Sequence, residues 1–292
     1  MRKIAKIRKI MLSVLCCGQI AVCGCCAEIC ESDRPSILET AAYSTNSVEL
    51  LILMYHSVKN GIESDYSVTP ETLKCDLSYL RENGYTSVTP EELVQFVYDG
   101  KELAEKPVLI TFDDGFYNNL AYALPLLEEY NFTAVVNIVG EFTEQIAPVD
   151  CHVPAYSYLT AEDCAVLLAS GRVTLGNHTN EFHHRESRQG CAILPCEQES
   201  RYHALLWSDL THLQDFLTSE LSFTPIVFAY PYGFDCPESV PVLRDLGFLL
   251  TLTCYEFSNQ IVQGDEDCLY GLGRYNRVGN MSSADFFHRI SS

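Results

Sequence analysis

Two segments of this chain carry side chains that could hold a metal ion and move a proton. The first is Val108-Leu109-Ile110-Thr111-Phe112-Asp113-Asp114-Gly115. It reads as a buried strand of β-branched and aromatic residues that stops on two adjacent carboxylates and a glycine. Adjacent residues leaving a strand end point in different directions, so one carboxylate can bind a metal while its neighbour handles a proton. Two ionised carboxylates crowded together repel, and a cation or a shared proton must relieve them. The second segment, Gly176-Asn177-His178-Thr179-Asn180-Glu181-Phe182-His183-His184, supplies imidazoles. Two histidines and an aspartate are a recurrent ligand set for a catalytic zinc with an open position. Asp-Asp-Gly alone also makes a turn and a helix cap; the two segments together predict a metal site.

The elements that must position these residues can be read from apolar patterning. Strands are predicted over 50–55, 85–88, 108–112, 133–139, 172–176, 226–230 and 248–253. Thr69-Pro70-Glu71 and Thr89-Pro90-Glu91 each open a helix with a capping residue and a proline in the first turn. Further helices are predicted over 118–130, 160–171, 200–219 and 238–246, and surface loops over 140–159 and 185–199. Repeated βα units with short turns predict a parallel α/β fold in a single domain. Both chemical segments fall just after strand ends, where α/β barrels carry their active sites.

The chain has 292 residues, 47% of them apolar, enough for one large domain with a sizeable core. Its formal charge is −20 even though Arg2, Lys3, Lys6, Arg8 and Lys9 crowd the start. So acidic a body argues against nucleic-acid binding, which needs a basic footprint. The basic cluster runs into an apolar stretch ending near Ala27, the pattern of a signal peptide over residues 1–27, or of a lipoprotein or membrane anchor. Residues 28–47 read as a polar linker and 48–292 as the domain, exported to the cell envelope or beyond it, with the N-terminus as a membrane tether if it is retained. Eight cysteines lie in that body without a C-x-x-C pair, so a structural zinc ribbon is not expected. Cys191 and Cys196 are spaced to close a small disulfide loop, as export permits, and the other thiols fit as small buried hydrophobes.

Four strand-end segments converge: Met54-Tyr55-His56, Thr111 to Gly115, the His178 segment, and Tyr230-Pro231-Tyr232-Gly233. In this order and spacing they resemble the polysaccharide deacetylases, the NodB-homology group of carbohydrate esterase family 4. The branch opening with Met-Tyr-His, found in bacterial envelope deacetylases, is the most similar. The resemblance implies a deformed (β/α) barrel of the NodB-homology type. It also implies a divalent metal, zinc foremost with cobalt or nickel as substitutes, and removal of acetyl groups from an N-acetylated glycan by metal-activated water. Peptidoglycan and poly-N-acetylglucosamine are the glycans implied; O-acetyl ester hydrolysis on a xylan-type polymer and an inactive glycan-binding module are the alternatives. Carried over residue by residue, Asp114, His178 and His183 become metal ligands, Asp113 the general base, His56 the acid for the leaving amine, and the Tyr232 backbone an oxyanion donor.

The commoner family motif places the second histidine four residues after the first, where this chain has Phe182. The resemblance to the Met-Tyr-His branch selects His183 over His184. Five residues span about 140° on a regular helix, so the segment is expected to bend as a loop, with Thr179 bracing it by a hydrogen bond to backbone. Arg274 and Arg277 lie in a late segment resembling the end of the family barrel, and one of them is expected to hold Asp113. Phe116 and Tyr117 fit either stacking on sugar rings or packing onto the barrel.

Overall fold

Residues 46–185 and 188–291 are described by the computed structural model. The expected signal and nearly all of the linker lie outside them. Strand β1 spans Ser47–Tyr55 and is followed by a small parallel pair, β2 (Ser57–Val58) and β3 (Ser67–Val68). Helix α1 (Pro70–Glu82), β4 (Thr86–Ser87) and α2 (Pro90–Asp99) lead to β5 (Pro107–Phe112). Then come α3 (Leu124–Tyr130), β6 (Ala134–Ile138), α4 (Ala161–Ala169), β7 (Val173–Asn177) and the long α5 (Glu199–Leu221). The last elements are β8 (Val227–Ala229), α6 (Val240–Asp245), β9 (Leu250–Leu252), β10 (Asn259–Val262), β11 (Tyr275–Asn276) and α7 (Ser283–Ile290).

The main sheet runs β10-β1-β5-β6-β7-β8-β9, with β4 beside β5 and β11 beside β1. Only the β1–β10 pairing is antiparallel. The sheet curls into a barrel whose seam is irregular. Leu272 bridges to Leu252 of β9, and three residues later Tyr275 pairs with Leu53 of β1. A short bent segment, not a full strand, thus links the two ends of the curl. The expected deformed (β/α) barrel is present, and this seam is where it is deformed.

Side-chain alternation sorts the strands into two faces. Ile110 and Phe112 pack outward with Leu73, Leu77 and Leu80 of α1, Leu127 of α3 and Leu167 of α4. Leu109 packs inward with Ile52, Val135, Ala229, Leu252 and Leu272. The same period puts Thr111, and Asp113 after it, on the inner face at the top of β5. Thr69 and Thr89 cap α1 and α2 as expected, each with proline in the first turn.

The helix predicted over 118–130 starts with a π-type turn over Asn119–Ala123. Pro125 has no N–H to donate, so a regular i→i−4 ladder cannot run through this point. Residues 142–146 form a second π-type turn and bury Thr143, so that stretch is not wholly a surface loop. All eight described cysteines are free. Cys191 is fully buried while Cys196 is exposed, which rules out the small disulfide loop in this structure. No helix among the described residues is long and apolar enough to cross a membrane.

Candidate active site

The carboxylate of Asp113 is buried at the floor of a cavity and held by three hydrogen bonds. Arg274 donates Nη1 to Oδ1 and Nη2 to Oδ2, both at 2.8 Å, and Asn137 Nδ2 donates to Oδ1 at 2.7 Å. Burial alone would push this carboxyl toward its neutral form, but the Arg274 guanidinium outweighs it, with help from His178, and holds the group well below the usual carboxylate range. Arg274 is itself fully buried and fixed by donating Nε to the Thr253 carbonyl at 2.7 Å. It comes from the seam of the barrel. Of the two late arginines it is therefore Arg274 that holds Asp113, while Arg277 pairs with Asp76 instead.

Asp114 has φ +72°, which turns its carboxylate away from that of Asp113. Its Oδ1 lies 3.1 Å from His183 Nε2 and 3.8 Å from His178 Nε2. One donor atom from each of Asp114, His178 and His183 falls within 4.8 Å of the others. His178 Nδ1 lies 2.7 Å from the Ala229 carbonyl, which fixes the proton on Nδ1 and leaves Nε2 its lone pair. Burial drops the His178 pKa to about 4, so its ring is neutral at pH 7, as a metal ligand must be. The donor set, the tautomer and the clustering fit a zinc-type ion.

His184 turns away to Glu141, at 3.2 Å from its Oε2. Phe182 packs against the cluster containing Cys191, Tyr202 and Phe228. Only His183, of these three, joins His178 and Asp114. The loop between the two histidines does bend, with φ +72° at Thr179. Thr179 braces it as expected, although its hydroxyl is buried without a hydrogen-bond partner. Its backbone does the bracing, with N–H to Asn177 Oδ1 at 2.8 Å and C=O to the Gly140 N–H at 3.0 Å.

His56 and Tyr232 share a cavity of about 450 Å³ with Asp113, Asp114, His178 and His183. Tyr232 lies on a left-handed turn, φ +59°, with its ring 4.8 Å from that of His183. The next residue must be glycine, because a Cβ on Gly233 would sit 2.5 Å from Cys254 Cβ. Phe116 stacks on Tyr158 and Tyr117 lies against His152, which favours the packing reading for both. Sequence reasoning missed Asn137, Tyr66 and Cys254. A polar residue inside the apolar run Ala134-Val135-Val136-Asn137-Ile138 was the one available signal, for Asn137.

A sequence model of the family described as polysaccharide deacetylase matches residues 100–250. The chain belongs to the polysaccharide deacetylase family. YxkH of Bacillus subtilis is 26% identical over 84% of this chain and 77% of its own length. The poly-β-1,6-N-acetyl-D-glucosamine N-deacetylase of Escherichia coli K12 is 25% identical over 76% of this chain, a match spanning 36% of that longer protein. Among solved structures, IcaB from Ammonifex degensii superposes with a TM-score of 0.67 at 25% identity, over 84% of this chain and 96% of its own.

One wall of the cavity is expected to loosen in acid. Tyr66, edge-on to His56 at 5.0 Å, sits in a loop pinned by Glu63. Glu63 Oε1 accepts from the Thr69 N–H at 2.9 Å and the Thr72 hydroxyl at 2.5 Å, and Oε2 accepts from the Asn280 N–H at 3.0 Å. Burial raises its pKa, but these donors outweigh burial and bring it from 4.5 to about 2. Because the folded pKa is depressed, this stabilisation is present in full above about 4.5 and lost as pH falls toward about 2. Thermal midpoints of the parent and Glu63→Gln should therefore differ most above pH 4.5 and converge on acidification. Parallel curves across that window would show that Glu63 does not pin the loop.

Proposed function

We propose that this chain removes acetyl groups from the acetamides of an N-acetylated glycan, with a divalent ion held by Asp114, His178 and His183. The observation that carries the reading is the buried Asp113–Arg274 pair opening onto the Asp114–His178–His183 cluster in one cavity. A carboxylate buried in a barrel is costly unless it is paired and used. The named activity of the Escherichia coli relative supports poly-N-acetylglucosamine as the substrate class. The N-terminal pattern supports export to the envelope, where such polymers lie.

When bound, the ion supplies Lewis acidity, acidifying water and polarising the acetyl carbonyl. Asp113, locked in its ionised form, accepts the proton released by the attacking water. Its low basicity makes position its main contribution, and Arg274 and Asn137 fix that position. His56, on the cavity wall at the end of β1, gives a proton to the departing amine nitrogen. The backbone N–H of Tyr232 donates to the acetyl oxygen as negative charge builds there, while its ring walls the acetyl pocket.

Acetate release from N-acetylglucosamine oligomers, with zinc or cobalt added, tests the reading. The parent and His184→Ala should release acetate, and His183→Ala should lose both release and stoichiometric metal. His56→Ala should fall by about 10²–10⁴ on the amide and far less on O-acetyl esters, whose better leaving group needs less help. A parent that neither binds metal nor releases acetate from any acetylated glycan would leave the glycan-binding module in its place.

A further inference from the structure

We propose that Asp209 of α5 is the positioning residue for the second imidazole of the metal site: its carboxylate gathers the backbone of the loop between His178 and His183 and sets where His183 stands. This rests on the metal-site reading above and adds to it a residue outside the motifs.

His183 stands five positions after His178, which on a regular helix would put the two rings about 140° apart, so they cannot share one helix face. The chain reverses at Thr179, and its next N–H groups then converge on a single anion. Asn180 N–H donates to Asp209 Oδ1 at 2.8 Å, Glu181 N–H to Oδ2 at 2.7 Å, and the N–H of Phe182 also bonds to this carboxylate. Successive backbone N–H groups closing on one anion form a nest. Here the anion is a side chain from a helix 28 residues further on. The loop carbonyls are clamped from the other side, with Gly140 N–H on Thr179 at 3.0 Å and Glu141 N–H on Asn180 at 3.1 Å. The loop's own acceptors do not share in this: the Thr179 hydroxyl and the Asn180 Oδ1 are both buried without a hydrogen-bond partner.

Packing gives Asp209 no reason to be there. It lies on the buried stripe of α5 with Tyr202, Leu206, Leu210, Leu213 and Leu217, and is only 8% exposed. An apolar residue would suit that stripe, whereas a carboxylate is tolerated there only if its charge is satisfied. The satisfaction comes from the loop that carries the ligand. His183 follows directly on the last of the gathered N–H groups, so a shift of the nest shifts its ring relative to Asp114.

Cobalt titration of the full-length chain, followed by visible absorption, tests this. Asp209→Asn keeps the size but offers one acceptor oxygen and sets an NH₂ against a backbone N–H. It should bind Co²⁺ about 10–100-fold more weakly, with an altered visible band, while far-UV circular dichroism stays that of the parent. Asp215→Asn, on the exposed side of the same helix, should match the parent. Equal affinity and an equal band in a folded Asp209→Asn would overturn the proposal. Should that variant fail to fold, amide exchange in the metal-free parent decides. Slow exchange at Asn180, Glu181 and Phe182 before metal is added supports the proposal, and slowing only after metal overturns it. A parent that takes up no Co²⁺ removes the metal-site reading and this inference together, whereas a binding parent with an indifferent variant removes this inference alone.

Discussion

Asp113→Asn should lower acetate release by about 10²–10⁴ and destabilise the fold at the same time. The two losses have separate causes. The rate falls because the amide cannot accept a proton. The fold weakens because Arg274, fully buried, is left with its charge uncompensated and an NH₂ group facing its donors. Breaking a buried pair by removing one partner typically costs about 3–5 kcal/mol. Replacing both partners by neutral groups escapes most of that cost, so Asp113→Asn combined with Arg274→Met should recover stability without recovering activity. Denaturant melts and single-turnover acetate assays on the two variants check this. Recovery of activity in the double variant would mean that Asp113 is not the base, and failure to recover stability would mean that the pair is not the reason for the loss.

Asp76→Ala should be the most damaging substitution outside the site. Asp76 Oδ2 accepts from Arg277 Nε at 2.8 Å and from the Tyr55 hydroxyl at 2.9 Å, and all three residues are buried. Arg277 also donates to the carbonyls of Val278 and Met281 and lies over the Phe286 ring at 4.8 Å. This triad ties α1, the outer face of β1 and the segment entering α7 into one polar knot. Its loss leaves a guanidinium buried without a counter-charge, at about 3–5 kcal/mol, which for a domain of this size lowers the thermal midpoint by roughly 6–20 °C. Tyr55 faces the helices, opposite to the cavity, so the rate per folded molecule should hold. A midpoint within 2–4 °C of the parent, the shift expected for about 1 kcal/mol, would show that water enters and satisfies Arg277.

The parallel barrel and the convergence of Asp113, Asp114, His178 and His183 on one cavity were legible because both rest on local patterns. A continuous apolar run ending in Asp-Asp-Gly specifies a buried strand and a turn, and proline after threonine marks the start of α1 and α2. The end of the domain was not legible for the same reason. Strand β10 has four residues and β11 has two, too short for periodicity to register. They exist because partners from β1 are waiting, which is information held elsewhere in the chain. Arg274 and Arg277 stand three apart in one segment, and nothing local distinguishes the one that reaches Asp113 from the one that reaches Asp76. Thr179 braces its loop as expected, and only the atoms were left open: a left-handed backbone puts its N–H and C=O to use and not its hydroxyl. Asp209 was invisible to motif reading, since its partners are backbone groups that any sequence supplies.

The irregular seam has a consequence for the order in which the molecule becomes whole. Its strand-end carboxylates and both imidazoles are encoded before residue 184, yet the guanidinium that neutralises Asp113 arrives ninety residues later, between Leu272 and Tyr275. A chain emerging from synthesis can form most of its sheet before that charge is available. Until then Asp113 faces an apolar interior without a counter-ion, and it stays protonated or keeps the barrel open to water. Closure of the barrel and neutralisation of Asp113 are therefore a single event, made by the last few residues of the curl. The barrel cannot close without seating Arg274 on Asp113, nor can Arg274 be seated before the barrel closes.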